Sequence, residues 1–368
     1  MIQRAAPLLV ALVAATGLVA QSPGWQSAAP GRALVLPRDH ASHPEYKLEW
    51  WYYTGNLDSA DRRRFGYQLT FFRVGMDPAP ANPSRWAVRD LVMTHLAVTD
   101  VSGRRFHMTD RLNRTGPGWA GAATDRYRVW NEDWFATIAR PGVHHLQAAE
   151  GAFGLDLEAQ EDRRAVLHGD AGYSRKGADA GNASYYYSLT RMPTRGTIVL
   201  DSTRIPVAGL SWMDHEFGTS FLEPAQVGWD WLSLQLDDGG DLMVFRLRRS
   251  DGSVDPRSSG TVVEPDGTTR ALSGPAAFVL TPGRTWQSPA SRGRYPVSWT
   301  VQLPASGLDL TVTAALDDQE LRTEGSTDVT YWEGAVDIAG TRRGRPVKGR
   351  GYLEMTGYTG TAMGLILH

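Results

Sequence analysis

HPEYKLEWWYYTGNL (residues 43–57) sets four aromatic rings, Trp50, Trp51, Tyr52 and Tyr53, on consecutive positions before running into Thr54, Gly55 and Asn56. Side chains of a β-strand alternate between its two faces. One face would carry Trp50, Tyr52, Thr54 and Asn56, the other Trp51, Tyr53, Gly55 and Leu57. A half-exposed strand needs bulk on one face only. Here both are bulky, so both must meet apolar material: a barrel interior, a second domain or a ligand.

The pattern recurs further along the chain. EWWYYTGNLDSADRRRFGYQLTFFR (49–73) resembles GWDWLSLQLDDGGDLMVFRLR (228–248), with Trp50 matching Trp229, Tyr52 matching Trp231, Thr54 matching Ser233 and Asn56 matching Gln235. The offset stays constant through Leu57 and Leu236, and through Asp58 and Asp237. Both segments then turn into an apolar strand, as expected of one structural unit used twice. Between and after them, stretches such as DLVMTHLAVTDV (90–101), SYYYSLTRM (184–192) and VTYWEGAVDIAG (329–340) alternate or are rich in β-branched and aromatic residues. Gly, Pro, Asp and Asn separate them, and no long amphipathic helix interrupts. The chain is expected to be all-β, with its antiparallel sheets closed into two tandem barrels.

Composition narrows the function. A length of 368 residues favours two domains, and 42% hydrophobic with 21% charged residues is ordinary for a globular chain. A net charge of −2 argues against nucleic acid and against an anionic membrane surface. The 13 Trp suit a partner that is an apolar small molecule. There is no cysteine, which removes disulfides and thiolate chemistry. The start, MIQRAAPLLVALVAATGLVA, joins Arg4 to an apolar run ending in small residues. That is the pattern of a signal peptide over residues 1–20, cleaved after Ala20, and implies a secreted or periplasmic protein with no transmembrane segment once it is removed.

Taken in order, HPEYKLEWWYYTGNL, FGYQLTFFR, SWMDHEFG, GWDWLSLQLDDG, YPVSW, DQEL, YWEGAVDI and GYLEMTGY resemble the AttH-like predicted secreted hydrolases, of the superfamily that includes the carotenoid 1,2-hydratases. The resemblance spans about residues 35–368. It implies two tandem lipocalin-like antiparallel β-barrels, divided here as 35–205 and 206–368. In such barrels a Trp near the start of the first strand closes one end, which assigns Trp50 and Trp229 as plugs. Tyr52 and Trp231 would then lie deeper on the same face, sharing a ligand-binding interior with Thr54, Asn56 and Gln68.

SWMDHEFG (211–218) carries most of the candidate chemistry. Adding water to an alkene needs a proton donor, a base and an apolar pocket that tolerates a cation. The segment supplies Asp214, His215 and Glu216 beside Trp212 as catalytic candidates; the resemblance assigns the acid/base role to His215, with Asp214 assisting. An extended backbone puts Asp214 and Glu216 on one face and His215 on the other; a turn before Gly218 would gather them. The alternative is a hydrogen-bonded junction between the barrels. Glu49, among the rings, is either an acid of raised pKa or the partner of an Arg or Lys. Glu333 and Glu354 pose the same choice. HEFGT fails as a zinc His-Glu-x-x-His because position 219 is Thr, and GLSWM fails as a nucleophile elbow at Met213. His40 and His43, and His144 and His145, have metal-like spacing, but surface or capping roles are favoured; no metal or cofactor is expected. The expectation is thus an exported protein binding an isoprenoid-like or lipid-like molecule, with hydro-lyase chemistry. The rivals are a non-catalytic lipid or pigment carrier and an acid/base hydrolase.

Overall fold

Alternation along the first strand organises the whole molecule. The structure, a computed structural model, describes residues 24–79, 81–179, 181–220 and 222–360; the candidate signal peptide lies outside them. The first sheet contains β1 (Leu48–Ser59), β2 (Arg64–Gly75), β3 (Asp90–Asp100), β4 (Arg105–Arg114), β5 (Ala120–Ala122), β6 (Arg128–Asn131), β7 (Trp134–Arg140), β8 (Val143–Glu150), β9 (Phe153–Gln160), β10 (Val166–Leu167), β11 (Tyr173–Arg175), β12 (Ala183–Leu200) and β13 (Thr203–Ser220). Its strands run in the order β4-β3-β2-β1-β13-β12-β9-β8-β7-β6-β5. The two ends of that order come together. Asn131 of β6 donates Nδ2 to the Val92 carbonyl of β3 at 3.2 Å, and the Arg111 guanidinium of β4 lies 4.0 Å from the Trp134 ring of β7. The sheet is a nearly closed barrel.

The second sheet repeats this plan. It contains β14 (Gln226–Leu236), β15 (Asp241–Arg249), β16 (Ser259–Val263), β17 (Thr269–Ser273), β18 (Val279–Pro282), β21 (Ser298–Leu303), β22 (Leu308–Ala314), β23 (Glu320–Arg322), β24 (Thr330–Arg342) and β25 (Arg345–Met355); β19 (Thr285–Gln287) and β20 (Arg294–Pro296) pair separately. The order is β17-β16-β15-β14-β25-β24-β22-β21-β18, so the first strand of each unit again lies between its second and its last. Both closing hairpins use two-residue turns with left-handed backbone, Asp201-Ser202 and Arg343-Gly344, which matches the twist of the strands they join. Two lipocalin-like antiparallel units therefore stand in tandem. The expected division after residue 205 falls inside β13, which pairs with β1 and β12 along its length. β13 ends at Ser220 and the second sheet begins with β14 at Gln226.

The faces of β1 divide between two cores. Trp51, Tyr53 and Leu57 join Phe65, Leu69 and Met213 inside the first barrel, each large apolar side chain contributing roughly 1.5–3 kcal/mol by leaving water. The opposite face meets the other unit: Tyr52 packs with Trp212, Trp231, Phe245, Tyr331 and Tyr352. Likewise Leu232, Leu234 and Leu236 of β14 fill the second barrel while Trp231 turns outward to the first unit. Trp50 and Trp229 are thus not barrel plugs; they are half-buried between the units. Trp51 is the ring sealed in the barrel, its indole donating to the His40 carbonyl at 2.9 Å. Polar bonds also cross the interface: Asn56 Nδ2 to the Gly351 carbonyl at 3.1 Å, His95 Nδ1 to Tyr331 Oη at 2.7 Å, and Arg191 to Asp241 at 2.7 Å. No helix among the described residues is long and apolar enough to cross a membrane.

Candidate active site

Where the outward faces of β1 and β14 meet, they leave a cleft with a cavity volume of about 110 Å³. Rings wall it: Trp50, Tyr52, Phe72, Trp229, Trp231 and Phe245. Strand pairing sets carboxyl groups among them. Asp214 of β13 stands opposite Tyr52, and Glu354 of β25 stands opposite Trp231, the same position in each unit. Glu354 in turn is paired with Glu333 of β24.

Asp214 is held by donors. Trp212 Nε1 reaches its Oδ1 at 2.6 Å, Tyr186 Oη reaches Oδ2 at 2.5 Å, and the Ser188 hydroxyl also bonds to it. Burial nevertheless prevails, pushing its pKa up to about 7 against those hydrogen bonds, with the Glu216 charge adding to the rise. Burial likewise raises Glu354 to about 7, helped by the charges of Asp214 and Glu216. Glu333 is raised well above the carboxylate range by burial and then by Glu354. Two carboxyls this close share protons rather than both ionising. Glu216 is neutralised differently, by Lys176 Nζ at 2.9 Å. The Tyr52 hydroxyl faces the Glu333 carboxyl, and burial followed by the charges of Glu333 and Glu354 raises the Tyr52 pKa well above its ordinary value.

The extended backbone separates Asp214 from His215. His215 points into the first barrel, fully buried, and does not line the cleft. Its Nε2 bonds Glu49 Oε1 at 3.0 Å and its Nδ1 meets Tyr187 Oη at 3.0 Å. Glu49 also accepts from His43 Nδ1 at 2.8 Å, Ser42 Oγ at 2.7 Å and Arg73 Nε at 3.1 Å. Burial alone would raise the Glu49 pKa, but His215, His43 and Arg73 hold it well below the usual range. Glu49 is therefore the ion-paired alternative and no acid of raised pKa. His215 lies in a buried network behind the cleft wall, and Glu49 and Arg73 connect that network to the cleft lining.

Of the ligand-binding candidates, Tyr52 and Trp231 line the cleft, while Trp212 backs it through Asp214. Thr54, Asn56 and Gln68 are packed between the units away from it; they share no barrel interior, because even-numbered positions of both strands face outward. His40, His43 and His144 are buried, not surface groups, because the amino-terminal segment folds against the barrel. Sequence reading missed His95, Tyr186 and Lys176, all of which line the cleft. His95 had a signal: it interrupts the apolar face Met93-Ala97 of β3. Burial lowers its pKa to about 3, so it is a neutral hydrogen-bonding group. Tyr186, in the middle of a Tyr triplet, was legible as strand but not as site. Lys176 had no signal, for its charge is drawn in by a glutamate remote in sequence.

Comparison with known proteins identifies the relatives of this chain. The sequence profile of the AttH-like family matches residues 27–358. A solved structure described as an AttH from Nitrosomonas europaea is 34% identical, with a TM-score of 0.82 over 90% of this chain and 99% of that one. The dehydratase asqC of Emericella nidulans is 21% identical over 65% of this chain. Kievitone hydratase of Fusarium solani subsp. phaseoli is 23% identical over 55%. The matched region spans 65% and 56% of the length of those two curated relatives.

Proposed function

The chain belongs to the AttH-like family, and from that premise we propose that it is a hydro-lyase acting on an apolar small molecule held between its two units. The observation that supports this most is the set of carboxyls, Asp214, Glu333 and Glu354, lining a cleft walled by aromatic rings. In the dehydration direction, the protonated Glu333–Glu354 pair donates to a substrate hydroxyl as the C–O bond breaks and water leaves. The ring faces stabilise the positive charge developing on carbon, by about 0.5–2 kcal/mol for each well-placed ring. Asp214, with its pKa near 7 and its ionised form held by three donors, takes a proton from the adjacent carbon as the double bond forms. Hydration is the reverse. Isoprenoid or lipid-like alkenes and tertiary alcohols suit the apolar walls. The names of the dehydratase and hydratase relatives favour the same reaction class.

The test incubates the protein with a panel of isoprenoid alkenes and their tertiary alcohols in ¹⁸O-labelled water and follows label uptake by mass spectrometry. Label should enter product with the native protein and not with Asp214→Asn or Glu354→Gln. Trp fluorescence quenching by the same panel without label uptake would overturn catalysis in favour of a carrier. Export is proposed from the Arg4-plus-apolar start; an intact Met1 on protein sequenced from the producing cell would exclude it.

A further inference from the structure

A second cluster lies away from the cleft, at the mouth of the first barrel, and three elements build it. His40 ends a short 3-10 turn (Arg38–His40) in the amino-terminal segment, His144 sits on β8, and Glu161 follows β9. Both histidines are fully buried, while the Glu161 side chain is 25% exposed and opens the cluster to solvent. His144 Nε2 lies 2.9 Å from Glu161 Oε1, and His40 Nε2 lies 3.6 Å from the same atom. One ligand atom from each residue falls within 4.8 Å of the others. Tetrahedral zinc, with bonds of about 2.0–2.2 Å to nitrogen and oxygen, separates its ligand atoms by roughly 3.3 Å. The spacing fits without rebuilding the backbone.

The far nitrogens are already anchored. His40 Nδ1 meets Tyr187 Oη at 2.6 Å, and His144 Nδ1 meets Tyr53 Oη at 2.7 Å. A hydrogen bond at one ring nitrogen fixes the tautomer and directs the lone pair of the other, which is how metal-bound histidines are commonly supported. Tyr53 Oη meets Tyr127 Oη at 2.6 Å, and either oxygen can donate, so this chain can reverse when the His144 proton moves from Nε2 to Nδ1. His40 Nε2, buried and aimed into the cluster, makes no hydrogen bond among the described residues. A buried nitrogen without a partner is costly, and a cation would supply one.

We propose that His40, His144 and Glu161 bind a divalent first-row transition-metal ion that fastens the amino-terminal segment to the barrel mouth. Two imidazoles and a carboxylate, with a fourth position open to water, suit zinc and its neighbours. The other buried trio, His43, Glu49 and His215, is a different case. There Glu49 is already occupied by His43, His215, Ser42 and the Arg73 cation. Arg73 supplies the charge that a metal would bring.

Untagged full-length protein, stripped with a chelator, would be titrated with zinc sulfate against a chromophoric competitor. One ion should bind per chain, and zinc at a hundredfold excess over Kd should raise the thermal midpoint by roughly 3–8 °C. Glu161→Gln, on a partly exposed side chain, should weaken binding at least tenfold and abolish the thermal shift. His145→Gln, a neighbour outside the cluster that bonds Asp156, should change neither. Should His144→Gln fail to fold, Glu161→Gln decides alone, provided its circular dichroism is native. No binding tighter than about 100 μM, or unchanged binding in a folded Glu161→Gln, would overturn the proposal.

Discussion

Asp214 and His215, adjacent in sequence, serve two different environments. Asp214 faces the cleft with its pKa raised to about 7, so the native state holds a proton there that the unfolded chain releases nearer pH 4. Its contribution to stability is favourable at low pH and is lost as pH rises through about 7, at no more than ~1.4 kcal/mol per pH unit. Asp214→Asn removes that dependence. The thermal midpoint of the variant minus that of the native protein should therefore become more positive between pH 5 and pH 8; a constant difference would show that Asp214 ionises normally. Glu49 gives the opposite prediction. Removing its carboxylate leaves Arg73 buried without its partner, so Glu49→Ala should cost about 3–5 kcal/mol in a urea titration. A loss below about 1 kcal/mol would show that the network is incidental.

Among the elements, β1 shows what alternation made legible and what it left open. The two bulky faces of Trp50–Leu57 were visible in the sequence, as was the duplicate in β14, because side-chain period and composition are local properties. Which face looks inward was not local. It depends on where the second unit lies, and a choice one residue out assigned the plug to Trp50 instead of Trp51. For a related reason the separation of Asp214 from His215 could be read from an extended backbone, but which of them faces the cleft could not. The assignment now in place predicts unequal costs. Trp51→Ala should destabilise by about 3–5 kcal/mol. Trp229→Leu, half-buried at the cleft, should cost about 1 kcal/mol or less while reducing Trp quenching by an isoprenoid ligand. Both variants can be compared by denaturant melts and fluorescence on one sample; equal losses of stability would overturn the division of faces.

For the whole molecule, the two units are joined by the short segment between β13 and β14 but held together by much more than that link. Bonds such as Arg64 to Asp337 at 2.6 Å and Thr99 to Gln319 at 2.8 Å surround a shared apolar cluster. Cutting the link at a protease site inserted among residues 223–225 should leave two fragments that co-elute on size exclusion. Fragments that separate without denaturant would show that the interface is too weak to shape a cleft. Cleavage at the Asp201-Ser202 turn, by contrast, opens a hairpin within the first sheet and separates no unit.

Because each first strand gives one face to its own barrel and the other to the cleft, the two sets of side chains can drift separately over evolutionary time. Tyr52 and Trp231 occupy corresponding places in the duplicate, yet one is a phenol and the other an indole; Asp214 and Glu354 likewise differ by a methylene. The matching walls differ at alternate positions, while Trp51 and Leu232 sit in the separate cores behind them. The lining of the cleft can thus be changed along these strands while both folding cores keep their packing.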